Sequence, residues 1–225
     1  MLKKYLPYGI ILILIPLILV SGTFLFSEKS YSVVSVMLAI LACIPFFISF
    51  ESNKNATRKL VLIAVMIGLS VAGRFIFAPI PFFKPITAMV IISAVYLGKD
   101  AGFLVGAMTA VISNIYFGQG PWTPFQMFGW GITGFFAGVL SNQILKSKIL
   151  MIIYAIISGL TYSFILDFWT TVWADGTFNI SRFIAITAAS LPVTLVYAVS
   201  NIIFLLLLFK PIGKKIIRVK VKYGL

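Results

Sequence analysis

Eight apolar runs, most of them close to twenty residues long, recur along this chain of 225 residues and leave few ways to fold it. A helix of that length crosses a hydrocarbon core of about 30 Å. Inside lipid every backbone N–H and C=O must find its partner within the protein, so runs of this kind fold as a bundle of helices. The every-second-residue alternation of a transmembrane barrel is absent. Composition agrees, with 61% of residues hydrophobic and 10% charged. The expectation is an all-α, polytopic membrane helical bundle.

The runs fall at 6–26, 31–50, 60–77, 85–98, 101–117, 125–145, 149–171 and 183–209. The first follows Lys3 and Lys4 and is longer than the 7–15 apolar residues usual in a signal peptide, so it reads as a retained helix. Pro45 kinks or shortens the end of the second. Residues 51–59, with Lys54, Arg58 and Lys59, form a polar linker. It separates two N-terminal helices (1–50) from a six-helix core (60–209), and a basic tail (210–225) follows. The run at 85–98 is short, about 21 Å as a helix. Either it begins inside the segment carrying Pro79, Pro81 and Pro85, or protein rather than lipid surrounds its ends.

Charge orients the bundle. Lys3, Lys4, the 51–59 linker, Lys99, Lys146, Lys148 and the tail fall on one face, whereas Lys29, Lys84 and Arg182 are alone on the other. The positive-inside rule then places both termini in the cytoplasm and the 78–85, 117–124 and 172–182 loops outside. The formal charge of +13 follows from the same rule and implies a lipid bilayer, not nucleic acid, as partner.

The chain has no histidine and one cysteine, Cys43. That removes His/Cys metal sites, Ser-His-Asp triads and an intrachain disulfide, and no cofactor is expected. The paired aspartates of membrane phosphatases and prenyltransferases are also missing, so the chain does not read as an enzyme. Autonomous secondary transporters carry more intramembrane acids and often repeated halves, whereas here Asp167 alone is deep. A scaffold protein without ligand stays open.

Three features point to a site. Phe117 to Gly131 is the longest uncharged break in the apolar pattern, and its glycines and prolines interrupt helix while Gln119, Trp122, Gln126 and Trp130 bring polar and aromatic groups together. Arg74 and Asp167 are ionisable residues within spans, costly unless paired or solvated. They are expected either to approach each other and brace a pocket or to touch a ligand; a structural ion pair, or Arg74 reaching outward to water, are the plainer readings. Trp122, Trp130, Trp169 and Trp173 all map to the outer third, and the inner interface has no tryptophan, which favours an aromatic-lined outer site helped by Asn114.

Small residues form seams. Ala64, Gly68 and Ala72 make a smooth stripe that serves bundle packing or docking of another membrane protein. Gly102, Gly106 and Ala110 on one run face Gly134 and Gly138 on the next, so these two helices are expected to touch below and diverge above around an outward pocket.

The segment from about Leu60 to Phe209 resembles the membrane-embedded substrate-binding subunit, the S component, of an energy-coupling factor (ECF) transporter. The resemblance rests on Ala64-Val-Met-Ile-Gly68, close to the family's Ala-x-x-x-Ala pattern, on Gly98-Lys-Asp-Ala-Gly102-Phe-Leu-Val-Gly106, and on the Phe117–Gly131 segment. It implies the membrane of a prokaryotic cell and a six-helix core with a pocket under the three outer loops. It also implies docking through Ala64, Gly68 and Ala72 onto a transmembrane scaffold subunit coupled to two ATPases. The expected ligand is a vitamin, most readily cobalamin or a related corrinoid, with riboflavin or a deazapurine precursor as the alternative. No Walker-type phosphate loop is present, as suits a subunit that binds no ATP. The two helices at 1–50 depart from the six-helix pattern.

Overall fold

The structure, a computed structural model, describes residues 8–25, 37, 39–41, 44 and 56–224. Most of the second expected span and of the 51–59 linker lie outside these residues, as do Lys3, Lys4, Lys29 and Cys43. Every regular element among the described residues is helical. A π-helical turn, Ile10–Leu14, runs into α1 (Ile15–Leu25), and the core consists of α2 (Ala56–Ile76), α3 (Ile86–Leu97), α4 (Lys99–Phe117), α5 (Thr123–Val139), the short α6 (Ser141–Lys146), α7 (Lys148–Asp175) and α8 (Ile180–Tyr223). Among the described residues four helices, α2, α4, α7 and α8, are long and apolar enough to cross a membrane.

Breaks in the sequence place the helix ends. Gly98, at φ 101°, takes a backbone conformation closed to most side chains and lets α3 pass directly into α4. Ser147 accepts from Leu150 N and Asn179 from Arg182 N, capping the starts of α7 and α8. The expected sixth helix stops at Val139, and α6 follows after Leu140. The last helix extends beyond the expected span and carries residues 210–223 of the basic tail as helix. At about 66 Å it is twice the hydrocarbon thickness, so part of it must lie outside lipid.

The short helix α3 is the axis of the core. It is apolar on every side, and only Tyr96 of its twelve residues is not buried, the pattern of a helix enclosed by protein. Of the two sequence readings for its length, enclosure is the one found. The glycines of α4 and α5 meet as expected: a Cβ on Gly102 or Gly134 would strike the other's carbonyl, and one on Gly106 would strike the Trp130 backbone. The close crossing therefore depends on bare backbone. Tyr8 and α1 join the same core, with Ile11, Ile15 and Leu19 buried. Tyr8 sets its ring edge-on to Phe135 and beneath the Lys99 ammonium, 3.4 Å from the ring centre.

Candidate ligand-binding site

At the end of the bundle where the 77–85 loop joins α2 to α3, a cavity of about 270 Å³ opens between α2, α3, α5, α7 and α8. Arg74, Phe82, Lys84, Thr87, Gln126, Trp130, Gly159, Tyr162, Tyr197 and Asn201 line it, with Pro81 and Ile86. Three of the residues expected from sequence, Arg74, Gln126 and Trp130, are brought together here.

Asn114 stands behind them. Its side chain is wholly buried on α4 and makes three hydrogen bonds. Arg74 Nη1 donates to Asn114 Oδ1 at 2.7 Å, and Asn114 Nδ2 donates to Thr123 Oγ1 at 2.9 Å and to Gln126 Oε1 at 2.8 Å. Arg74 also donates to Ser113 Oγ, which passes its own proton to the Thr109 carbonyl. A buried network with every member partnered fixes its geometry, so the guanidinium of α2 and the amide of α5 are held in one frame. The same bonds tie α4 to α5 at this end. The two helices therefore do not part as expected, and the opening falls on the other side of α5.

Aromatic rings supply most of the wall. Trp130 stacks on Tyr162 at 4.9 Å with planes 8° apart, Tyr162 meets Tyr197 edge to face, and Phe82 meets Tyr197 in the same way. Phe82 holds φ at 60°, a strained conformation for a non-glycine residue and one that concentrates at functional loops. The loop is clamped from α8: Lys84 N donates to Ser200 Oγ at 2.9 Å, and Ser200 Oγ donates to the Lys84 carbonyl at 3.0 Å. Gly73 gives room for the chain to return, since a Cβ there would overlap Pro85. Gly159 brings α7 against the Ala198 backbone of α8, closing the floor.

The other expected site residues lie elsewhere. Gln119 is exposed and donates to the Val111 carbonyl at 2.8 Å. Trp122, Trp169 and Trp173 form their own cluster, with ring centres 5.9 and 6.1 Å apart in succession, outside the cavity lining. Asp167 accepts from Ser190 at 2.8 Å and makes no ion pair with Arg74. Ala64, Gly68 and Ala72 are exposed along α2, and a Cβ on Gly68 would meet nothing within 4 Å. Unlike the seam between α4 and α5, this stripe is not used for packing among the described residues.

Sequence reasoning missed Lys84, Tyr162, Tyr197 and Asn201. Lys84 had a signal, being one of three cations on the sparsely charged face. Asn201, a buried amide donating to the Ala155 carbonyl, carried the same intramembrane polarity that singled out Arg74.

A sequence profile of the family described as ECF-type riboflavin transporter, S component, matches residues 54–214, more than two thirds of the chain. No curated protein and no solved structure matches.

Proposed function

The chain belongs to the ECF-type riboflavin transporter S-component family, and from that premise we propose that its cavity captures a planar, flavin-type vitamin. Members of the family are the substrate-binding membrane subunits of ECF transporters and work with a transmembrane scaffold and ATPase subunits. The observation that carries the ligand reading is the lining itself. Four aromatic side chains, Phe82, Trp130, Tyr162 and Tyr197, stand around a space that also offers Gln126, Thr87 and Asn201 to the edge of a ring. Such a mixture buries a flat heterocycle by stacking and reads its rim by hydrogen bonds.

Size bears on the choice of vitamin. A volume of about 270 Å³ is near the lower end for cofactor sites, roughly 300–1,000 Å³. A tricyclic isoalloxazine or a smaller deazapurine suits it, whereas a corrinoid macrocycle with its nucleotide tail is far larger. This favours riboflavin, the sequence-level alternative, over the cobalamin first expected.

In this reading the exposed Ala64, Gly68 and Ala72 form the surface against the scaffold, and the basic end of the bundle faces the cytoplasm. The test is titration of the purified subunit with riboflavin, following quenching of flavin fluorescence. Saturable one-to-one binding without ATPases or an ion gradient supports a capture subunit. Dependence on sodium or protons would point to a secondary transporter instead.

A further inference from the structure

The cavity holds two cations and no anion. Arg74 and Lys84 both line it, and both lie against the same ring: Arg74 Cζ is 4.5 Å and Lys84 Nζ 5.6 Å from the centre of Phe117. The hydrogen-bond partners of Arg74, Ser113 and Asn114, are neutral, and both bonds use Nη1. Lys84 is anchored to Ser200 through its backbone, not its ammonium. Phe117 offers a ring face to both charges but no net negative charge.

Neither Asp100 nor Asp167, the acids whose side chains the structure describes, answers them. Asp167 is engaged with Ser190. Asp100 lies at the opposite end of α4, beside Lys99 and Lys59. Asp175 is the last residue of α7, and Glu28 and Glu51 fall outside the described residues. Two like charges facing one cavity repel each other and are costly unless something of opposite sign enters. Burial and then the nearby guanidinium pull the Lys84 ammonium below its ordinary range.

We propose that the ligand is anionic, with its ring among Trp130, Tyr162, Tyr197 and Phe82 and a phosphate ester or carboxylate held between Arg74 and Lys84. This rests on the flavin reading only for the identity of the ring. The charge pattern would select an anionic vitamin form on any planar scaffold. A charge-assisted hydrogen bond to either cation favours the anionic form by roughly tenfold to a hundredfold over its neutral parent.

The test is a calorimetric comparison of two pairs, riboflavin with riboflavin 5′-phosphate and pyridoxal with pyridoxal 5′-phosphate, on the purified full chain. The expected result is that the phosphate ester of a binding pair is at least tenfold tighter. Lys84→Gln should shrink that ratio and Lys84→Arg should keep it, with melting curves showing both variants folded. Equal or tighter binding of the neutral partner, or a ratio indifferent to Lys84→Gln, overturns the inference while leaving the flavin reading in place. Binding confined to the pyridoxal pair, with the ester preferred, retires the flavin reading and keeps the anion preference. Failure of all four to bind overturns both.

Discussion

Asn114 links three helices through one amide, because Arg74 from α2 and Thr123 and Gln126 from α5 all depend on it. Asn114→Ala would strand these partners in a buried setting at a cost of about 1–3 kcal/mol. The expected outcome is a melting temperature lowered by several degrees, and ligand affinity lowered with it, because Arg74 and Gln126 lose their frame. Asn114→Asp is the more telling change. It gives Arg74 a carboxylate of its own, so it should retain more stability than alanine yet weaken an anionic ligand more than a neutral one, as paired titrations would read. Part of this was legible in the sequence. Arg74, Gln126 and Trp130 stood out because a charge, an amide and an indole are conspicuous in an apolar chain. Tyr162 and Tyr197 did not, since they sit on helices apolar on most faces, where one more aromatic residue carries no signal of which side it presents. The three tryptophans outside the lining stood out by the same conspicuousness that revealed Trp130.

The small-residue stripes looked alike in sequence but have different surroundings in the fold. Between α4 and α5 a single methyl has no room: a Cβ on Gly134 would lie 2.4 Å from the Gly102 carbonyl oxygen. Gly134→Leu is therefore expected to cost more than the 1–3 kcal/mol of ordinary overpacking and to abolish recovery of folded protein in detergent. On α2, Gly68→Leu meets open space among the described residues, so thermal melting and ligand binding should match the parent while transport by the assembled complex is lost. Spacing by four residues announces a smooth face but not what lies against it, and only the packing separates the two cases. The 77–85 loop was equally opaque. Its prolines predicted a turn, but the clamp from Ser200 joins positions 116 residues apart. Ser200→Ala should cost about 1 kcal/mol and raise the ligand's dissociation rate several-fold in stopped-flow measurements, because the loop backbone loses both bonds to α8.

For the molecule as a whole, membrane character and the order of the core helices followed from the length and polarity of the runs, and the enclosure of the short helix was one of two readings its length left open. The position of the cavity did not, because it depends on which helices stay joined at the loop end. Asn114 joins α4 to α5, so the space opens among α2, α3, α5, α7 and α8 instead of beneath the 117–124 loop. This makes two ligand locations distinguishable: the cavity around Trp130 and Tyr162, or the cluster of Trp122, Trp169 and Trp173. Riboflavin and its 5′-phosphate titrated into the purified subunit, in parallel with Trp130→Ala, Tyr162→Ala and Trp173→Ala, decide between them. Loss of a buried stacking ring costs on the order of tenfold in affinity or more. The expected result is one saturable site, weakened to that extent by Trp130→Ala and Tyr162→Ala and unmoved by Trp173→Ala. Absence of saturable flavin binding, or a loss of affinity confined to Trp173→Ala, would contradict a flavin site in this cavity.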